Sequence, residues 1–230
     1  MQSAVQDELL SLLATAARAA GLARESWVRQ GSGDGELAII PPGESEPAVV
    51  DGFVGELAGL LYRRNRDRAP ADRLLLRLAV DHGLAGPTSN GFSGRPVLAV
   101  SRLVNAAVVK QALVAAADAS LAVIVSQQVY TDLIISGHTS LEPSLFRRVR
   151  VREKELDEHA WLRVPGVDVH RLVLTPDPAA PDGGPPDADL SPRAPGAEED
   201  RGPAPRVTAE HSNVAMGDGN VVGTGNVVRR

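Results

Sequence analysis

In this sequence, few residues have both a reactive side chain and a sequence context that indicates a binding or catalytic role. Asp34 lies in the glycine-rich segment GSGDG, residues 31–35, where an Asp-Gly step either offers a carboxylate to a ligand or builds a hairpin turn without chemistry. Arg102 lies in an amphipathic stretch, where it either binds phosphate or is solvated. His82 ends an apolar run and either coordinates a ligand, shuttles protons or makes a structural hydrogen bond. The residues alone leave these alternatives open.

Several common patterns of catalytic and binding sites are missing from the sequence. There is no cysteine, which excludes disulfides, thiolate nucleophiles and Cys-ligated zinc. Neither a Ser-His-Asp arrangement nor an HExxH motif is present. The GSGDG segment lacks the Lys-Ser/Thr pair of a phosphate-binding loop and precedes a strand-like run rather than a helix. The net charge of −5 argues against nucleic acid as the main partner.

In the N-terminal half, hydrophobic periodicity predicts two helices and a hairpin around the candidate residues. A helical spacing of apolar residues runs from Val5 to Ala20 and stops at Gly21. Two strand-like runs, 27–29 and 37–40, flank the Asp-Gly turn, which predicts a hairpin. A second helix is predicted from about 51 to 66.

The following segments alternate between strand-like and helix-like patterns. The predicted elements are a buried strand at 73–82, a loop at 83–94, a long helix at 97–117, a short apolar strand at 121–125, a helix at 128–135, and antiparallel strands at 146–154 and 160–164. Hairpins mixed with crossover helices indicate an α+β fold, with helices packed over a mixed, mostly antiparallel sheet.

Composition divides the chain into three parts and indicates its compartment. We predict a folded domain at 1–166, a disordered Pro/Asp-rich linker at 167–206, and an Asn/Gly/Val-rich segment at 207–230. No apolar run is expected to span a bilayer. Asp7 and Glu8 stand where a secretory signal would carry positive charge and then an apolar stretch. A cytoplasmic protein without a membrane partner is therefore expected.

Five segments, in the right order over residues 1 to about 166, resemble the class III adenylate and guanylate cyclases. They are GSGDGELAIIP, RLAVDHG, GFSGRPVLAVSRL, LAVIVSQQVY and VREKELDEHAWLRVPG. They resemble in turn the metal-binding hairpin, the strand before the active-site loop, the helix carrying the catalytic arginine, the next strand with its helix, and the closing hairpin. The divergent cyclase-like proteins of actinomycete type look most similar. The resemblance implies a ferredoxin-like cyclase fold.

The resemblance also implies a site that binds a nucleoside triphosphate with Mg or Mn. Asp34 matches the second metal-binding aspartate of that family, and Arg102 matches the arginine that stabilises the transition state. Gly33 and Gly35 match the hairpin turn near the phosphates. Cyclases of this fold place their sites at a dimer interface, so the resemblance implies a homodimer.

The sequence departs from the cyclase pattern at several positions. Leu98 stands where the ribose-orienting Asn is expected, Gln30 replaces the base-reading Lys, and Gly91 replaces its Asp partner. The opening strand, which carries the first metal aspartate, is expected to be missing because the chain begins inside the first helix. Either the true start lies upstream of Met1 or another chain supplies this strand, and the first explanation is favoured.

The C-terminal segment resembles the Gly/Asn/Val motifs of bacterial amyloid-type signalling tails, which pair with like motifs on partner proteins. Short β-prone segments with few charges and stackable Asn favour such pairing. The alternative is a flexible tail. The residues that form the motif are Asn213, Gly217, Asp218, Asn220, Gly223, Gly225 and Asn226.

Together these observations predict a degenerate cyclase homologue rather than an enzyme. It would bind nucleotide or dimerise as a signalling module, and its C-terminal motif would recruit it to a partner with a matching motif in a signalling or defence-type system. The alternatives are an active divergent class III cyclase that makes a cyclic nucleotide with Mg or Mn, and a structural adaptor without a ligand.

Overall fold

The computed structural model describes residues 2–32, 35–88, 91–175 and 218–225. All four ranges belong to one compact unit. Helices pack against a mixed sheet, so the α+β class predicted from the sequence is confirmed. Of the linker predicted at 167–206, residues 167–175 are described and pack on the domain, with Val169 buried in one of its hydrophobic cores. Residues 176–206 lie outside the described part of the chain.

The helical elements follow the predicted order with altered boundaries. They are α1 (Gln2–Ala19), α2 (Glu46–Ala48), α3 (Val54–Asn65), α4 (Arg95–Asn105), α5 (Ala107–Ala115) and α6 (Gln127–Val129). A π-helical stretch, Val49–Phe53, joins α2 to α3, and another, Tyr130–Ile135, continues α6. The second predicted helix begins earlier than residue 51 because the Ser45 hydroxyl accepts a hydrogen bond from the Ala48 backbone N–H and caps it at that point.

In the described residues, nine strands form one large sheet and one small hairpin. They are β1 (Val28–Ser32), β2 (Gly35–Ile40), β3 (Leu76–Leu84), β4 (Gly86–Thr88), β5 (Gly91–Ser93), β6 (Leu121–Ser126), β7 (Arg147–Glu153), β8 (Leu156–Arg163) and β9 (Asp218–Gly225). The large sheet has the order β1-β2-β9-β3-β6-β8-β7, and only the β3–β6 pair is parallel. The prediction of a loop at 83–94 is wrong in part, because β4 and β5 pair with each other within it. These strands of three residues each are too short to show an alternating apolar pattern.

The centre of the large sheet is occupied by the C-terminal segment. β9 lies between β2 and β3 and is antiparallel to both. The cyclase resemblance implies a further, central strand in this sheet, which is expected to come from upstream sequence or from another chain. Residues 218–225 take a central position here, a source that neither explanation foresaw.

Two hydrophobic cores cover the two faces of the sheet. Alternate residues of β3 enter different cores, with Leu78 in the core under α1 and α3 and Ala79 in the core under α4 and α5. Strand periodicity explains this division, because successive side chains point to opposite faces. Both faces of β3 are therefore buried, as its continuous apolar run predicted.

A buried arginine accompanies the break in the long helix that was predicted as continuous. α4 ends at Asn105 and Ala106 has extended backbone angles, with φ −54° and ψ 138°. The Arg77 guanidinium donates a 2.7 Å hydrogen bond to the Val104 carbonyl, an acceptor that an uninterrupted helix would use internally. A cation at a helix C-terminus also favours the helix dipole. The buried charge thus fixes where α4 stops.

By length and composition alone, the stretch Arg95–Ala115 would be long and apolar enough to cross a membrane. Half of its apolar window is buried inside the protein, and Val100 and Val109 belong to the core under α4 and α5. The expectation that no such stretch exists is therefore wrong by composition. The packing of this helix pair is that of core helices in a soluble protein.

Asn65 connects the end of α3 to the chain before β3. Its side-chain amide donates to the Leu74 carbonyl and to the Ser120 hydroxyl, each at 2.8 Å, and its oxygen accepts from the Leu74 backbone N–H at 2.9 Å. Asn65 is only 3% exposed. These bonds satisfy buried backbone groups that no strand neighbour reaches at that point.

We expect Asn65→Ala to lower the free energy of unfolding by about 2 kcal/mol, because it leaves the buried Leu74 groups unpaired. Urea denaturation followed by circular dichroism measures the change. Asn105→Ala is the matched control, since Asn105 donates only to the Ser101 carbonyl on its own helix. Equal effects of the two substitutions would contradict the role assigned to Asn65.

Candidate functional site

Gln30 and Gly91, which the sequence analysis assigned to the positions of a base-reading pair, lie in direct contact. Gln30 is on β1, opposite Leu37 of β2, and Gly91 begins β5. A Cβ atom placed on Gly91 would lie 2.5 Å from Gln30 Oε1 and 2.9 Å from Nε2. The fold therefore brings the two positions together, with an amide side chain packed against a bare backbone.

The backbone at Gly91 disfavours any side chain at this position, an acidic one included. Its φ is +130°, a conformation that residues with a Cβ rarely adopt. An aspartate there would need both a strained backbone and a displaced Gln30. The contact between Gln30 and Gly91 contains no charged side chain, unlike the pair that the cyclase pattern would place at these positions.

Gly94 and Gly83 set the start of α4 beside this contact. Gly94 has φ +131°, and a side chain on it would collide with the Leu84 carbonyl. A Cβ on Gly83 would lie 3.4 Å from the Pro96 ring. The end of β3 and the first turn of α4 are therefore in close contact, which fixes the direction in which α4 presents its side chains.

Arg102, the predicted catalytic arginine, is held by a carboxylate of the closing hairpin. Its Nη2 lies 2.9 Å from Glu155 Oε2, in the turn between β7 and β8. Arg95 makes a similar pair with Glu158 at 3.1 Å. Leu98, one helical turn before Arg102, is 62% exposed and offers no hydrogen bond. α4 thus contacts the β7–β8 hairpin through two ion pairs, one of which involves the predicted catalytic Arg102.

The pKa of Glu155 is held below its usual value. The largest cause is a hydrogen bond from its own backbone N–H, and the positive charge of Arg102 adds to it. Both favour the ionised carboxylate. Glu155 therefore remains a counterion for Arg102 across the neutral range.

Asp81 is a residue that the sequence analysis did not single out. It lies two positions after Ala79 and so belongs to the α4 face of β3, and it is 1% exposed. Neither carboxylate oxygen has a hydrogen-bond partner among the described residues. A carboxylate at the end of the apolar run RLAV is the sequence signal that could have identified it, since buried unpaired charge is costly and rare.

His82 lies on the opposite face and contacts two carboxylates. Its Nε2 is 3.2 Å from Asp132 Oδ2 and its Nδ1 is 3.6 Å from Glu46 Oε2, without a directed hydrogen bond to either. The ring therefore links β3 to the starts of two helical segments. The structural hydrogen bond expected as one alternative for His82 is not made to either carboxylate, and the role of His82 stays open.

A divalent cation would need several oxygen ligands at one place. Asp34 and Gly33 lie outside the described residues, while Gly35 is the first residue of β2. Within the described ranges, no group of three or more His, Asp or Glu side chains could hold a metal ion.

The C-terminal motif falls partly inside β9. Asp218, Asn220, Gly223 and Gly225 are strand residues. The remaining motif residues, Asn213, Gly217 and Asn226, lie outside the described part of the chain. The β-prone character predicted for the motif is matched by the strand that it forms.

Comparison with known proteins gives no relative for this chain. No protein-family model matches it, and neither a curated protein nor a solved structure does. The candidate site is therefore interpreted from its own geometry.

We expect Gly91→Ala to lower the free energy of unfolding by about 1–3 kcal/mol, because alanine must adopt a positive φ there. Gln30→Ala removes the collision and leaves the backbone strain, so it should rescue only part of the loss. Gly86→Ala is the control, since no atom lies within 4 Å of its Cβ position. If Gly91→Ala and Gly86→Ala proved equally stable in urea, the proposed packing at Gly91 would be incorrect.

We expect Arg102→Gln to raise the pKa of Glu155 toward its usual value, while the backbone hydrogen bond retains part of the lowering. An NMR titration of the Glu155 side-chain carboxyl carbon measures this shift. Arg95→Gln, which removes the partner of Glu158, should leave the pKa of Glu155 unchanged. An unaltered Glu155 pKa in Arg102→Gln would mean that Arg102 is free for another anion.

Proposed function

We propose that this chain is a cytoplasmic, degenerate homologue of the class III nucleotide cyclases that acts as a signalling module and not as an efficient enzyme. It binds a nucleotide or forms a homodimer, and its C-terminal motif recruits it to a partner with a like motif. The observation that carries this proposal is the contact between Gln30 and Gly91. An amide packed on a glycine has replaced a charged pair that would read the base.

The surroundings of α4 support the loss of efficient catalysis. A transition-state arginine must be available to the charge that develops on the phosphates, and a phosphate would have to compete with the exposed carboxylate of Glu155 for Arg102. Leu98 has no group that could orient a ribose hydroxyl. Catalysis of this kind depends on positioning several groups together, so the joint loss matters more than either change alone.

A retained ligand site is supported by Asp81. Its buried carboxylate lies on the α4 face without a hydrogen-bond partner among the described residues. A purely structural protein gains nothing from such a group, because it costs desolvation energy without compensation. A polar ligand or its cation would supply the missing partner.

Recruitment through the tail is supported by the strand that the motif forms. β9 pairs with its neighbours along both edges, and pairing of this kind relies on main-chain hydrogen bonds that a partner strand can also provide. The motif therefore has the chemistry of a strand donor.

The test is an assay for cyclic product with the full chain, Mn²⁺ and each of the four nucleoside triphosphates. We expect no cyclic product from folded protein. Nucleotide binding should raise the melting temperature, because a ligand that binds only the native state stabilises it. Absence of any such shift, in a monomer, would favour the structural adaptor.

Asp34→Asn is the variant that separates the proposal from an active cyclase. Cyclic product that disappears in Asp34→Asn would replace the proposal with a working divergent class III enzyme. Gly86→Ala is the control for nonspecific loss, because no atom lies within 4 Å of its Cβ position.

A further inference from the structure

β9 is an interior strand of the large sheet, with β3 along one edge and β2 along the other. Its whole length pairs with β3, from Leu84↔Asp218 to Arg77↔Gly225. Residues 220–224 also pair with β2, from Ile40↔Asn220 to Glu36↔Thr224. While β9 stays in place, neither of its edges along residues 220–224 is available to another strand.

Without β9, the edges of β2 and β3 would face each other across a gap about 10 Å wide, twice the spacing of paired strands. The outer edges of these strands are already paired, β2 with β1 and β3 with β6. Their inner backbone groups would then lack partners, which is costly in a buried position. The gap between β2 and β3, here called the strand slot, therefore requires a strand.

The walls of the strand slot are held together by the core beneath them. Ala38 and Ile40 of β2 belong to the same buried cluster as Leu78 and Val80 of β3, and Phe53 before α3 joins them. The two backbone walls of the slot, β2 and β3, lie far from β9 along the chain. β9 is therefore separate in sequence from the strands that it pairs with.

Nothing in the pairing restricts the slot to its own tail. The recognition is through the backbone, so any strand of the same sequence and direction meets the same hydrogen-bonding groups. The 42 residues at 176–217 separate β9 from the rest of the domain and span up to about 140 Å when extended. That length allows β9 to reach a second molecule.

We propose that the strand slot is a binding site for residues 218–225 of a second copy of this chain, and that β9 of the same chain competes for it. The inference rests on the proposed recruitment by the C-terminal motif and deepens it. While β9 occupies the strand slot of its own chain, the motif cannot pair with a partner. When β9 leaves the slot, the chain offers both a free strand and an empty slot. Exchange of an identical element between copies is a low-cost route to assembly.

The balance between β9 docked in its own chain and β9 exchanged with a second copy depends on protein concentration. A tethered strand experiences an effective concentration on the order of millimolar, so dilute protein keeps β9 in its own slot. Clustering of copies raises the concentration of competing strands toward that value. The chain would therefore respond to crowding by exchanging strands.

The first test is capture of a fluorescent peptide of residues 213–228, the surrogate for a second copy's tail, by the full chain carrying Val222→Pro. Val222 lies between Ala38 and Val80 in the register, and proline there removes a ladder N–H. We expect this variant to bind the peptide at least ten-fold more tightly than the unaltered chain, whose own β9 competes. The same peptide with Val222→Pro should not bind.

Val214→Pro is the matched control, because it places the same residue in the tail four positions before β9. This variant should keep β9 docked and capture peptide as weakly as the unaltered chain. Equal, weak capture by all three proteins, with the melting temperature of Val222→Pro unchanged, would overturn the proposal.

Val222→Pro could also fail to fold with an empty slot. In that case refolding in the presence of the 213–228 peptide should restore the native circular dichroism spectrum, whereas the proline peptide should not. Failure of the 213–228 peptide to rescue folding would overturn the proposal. Rescue would establish that the slot accepts the strand in trans.

The second test asks whether whole copies exchange strands. Refolding at high protein concentration, followed by dilution and light scattering, should give a dimer for the unaltered chain and for Val214→Pro but not for Val222→Pro. A dimer of equal yield from all three, or monomer from all three, would overturn exchange between copies. The assay for cyclic product does not depend on these outcomes, so either proposal can fail without the other.

Discussion

The structure depends on one constraint, that the inner edges of β2 and β3 must both be paired. The hairpin of β1 and β2 and the four strands β3, β6, β8 and β7 belong to one sheet only because β9 lies between β2 and β3 and pairs with both. The helices on one side already hold the two halves at the right distance, through a core that β2 and β3 share. Burial of apolar side chains can fix that distance, but it cannot satisfy the main-chain groups that the distance leaves unpaired. The position of β9 follows from this requirement.

A second constraint acts on the other face, where a single buried arginine organises the helices. Arg77 lies in β3 and bonds the last turn of α4, so the sheet dictates where that helix stops and α5 starts. α4 in turn lies against both β3 and β9, and its ion pairs with Glu155 and Glu158 attach it to the closing hairpin. The sheet, α4 and the β7–β8 hairpin are thus connected by contacts around the candidate site. Arg102, at the predicted catalytic position, takes part in one of these contacts, its ion pair with Glu155.

The relation between domain and tail changes how the motif is understood. Considered as sequence, residues 207–230 form a separate recruitment segment beyond a linker. In the structure, part of that segment completes the fold of the domain that precedes it. Under the proposed strand exchange, one strand has two competing uses, and the stability of the domain is coupled to the availability of the motif. A coupling of this kind provides a switch without requiring a second folded state of the domain.

The sequence by itself determined the α+β class, the helices and most of the strands, because periodicities of 3.6 and 2 residues record which faces are buried. It also identified Gln30, Gly91, Leu98 and Arg102 as positions of interest. It did not reveal the hairpin at 86–93, the break at Ala106 or the burial of Asp81, since these depend on partners distant in the chain. Only the tertiary structure decided which strand lies between β2 and β3. Backbone hydrogen bonding is nearly independent of side-chain identity, so a local pattern can predict that a segment forms a strand but not which edges it pairs with.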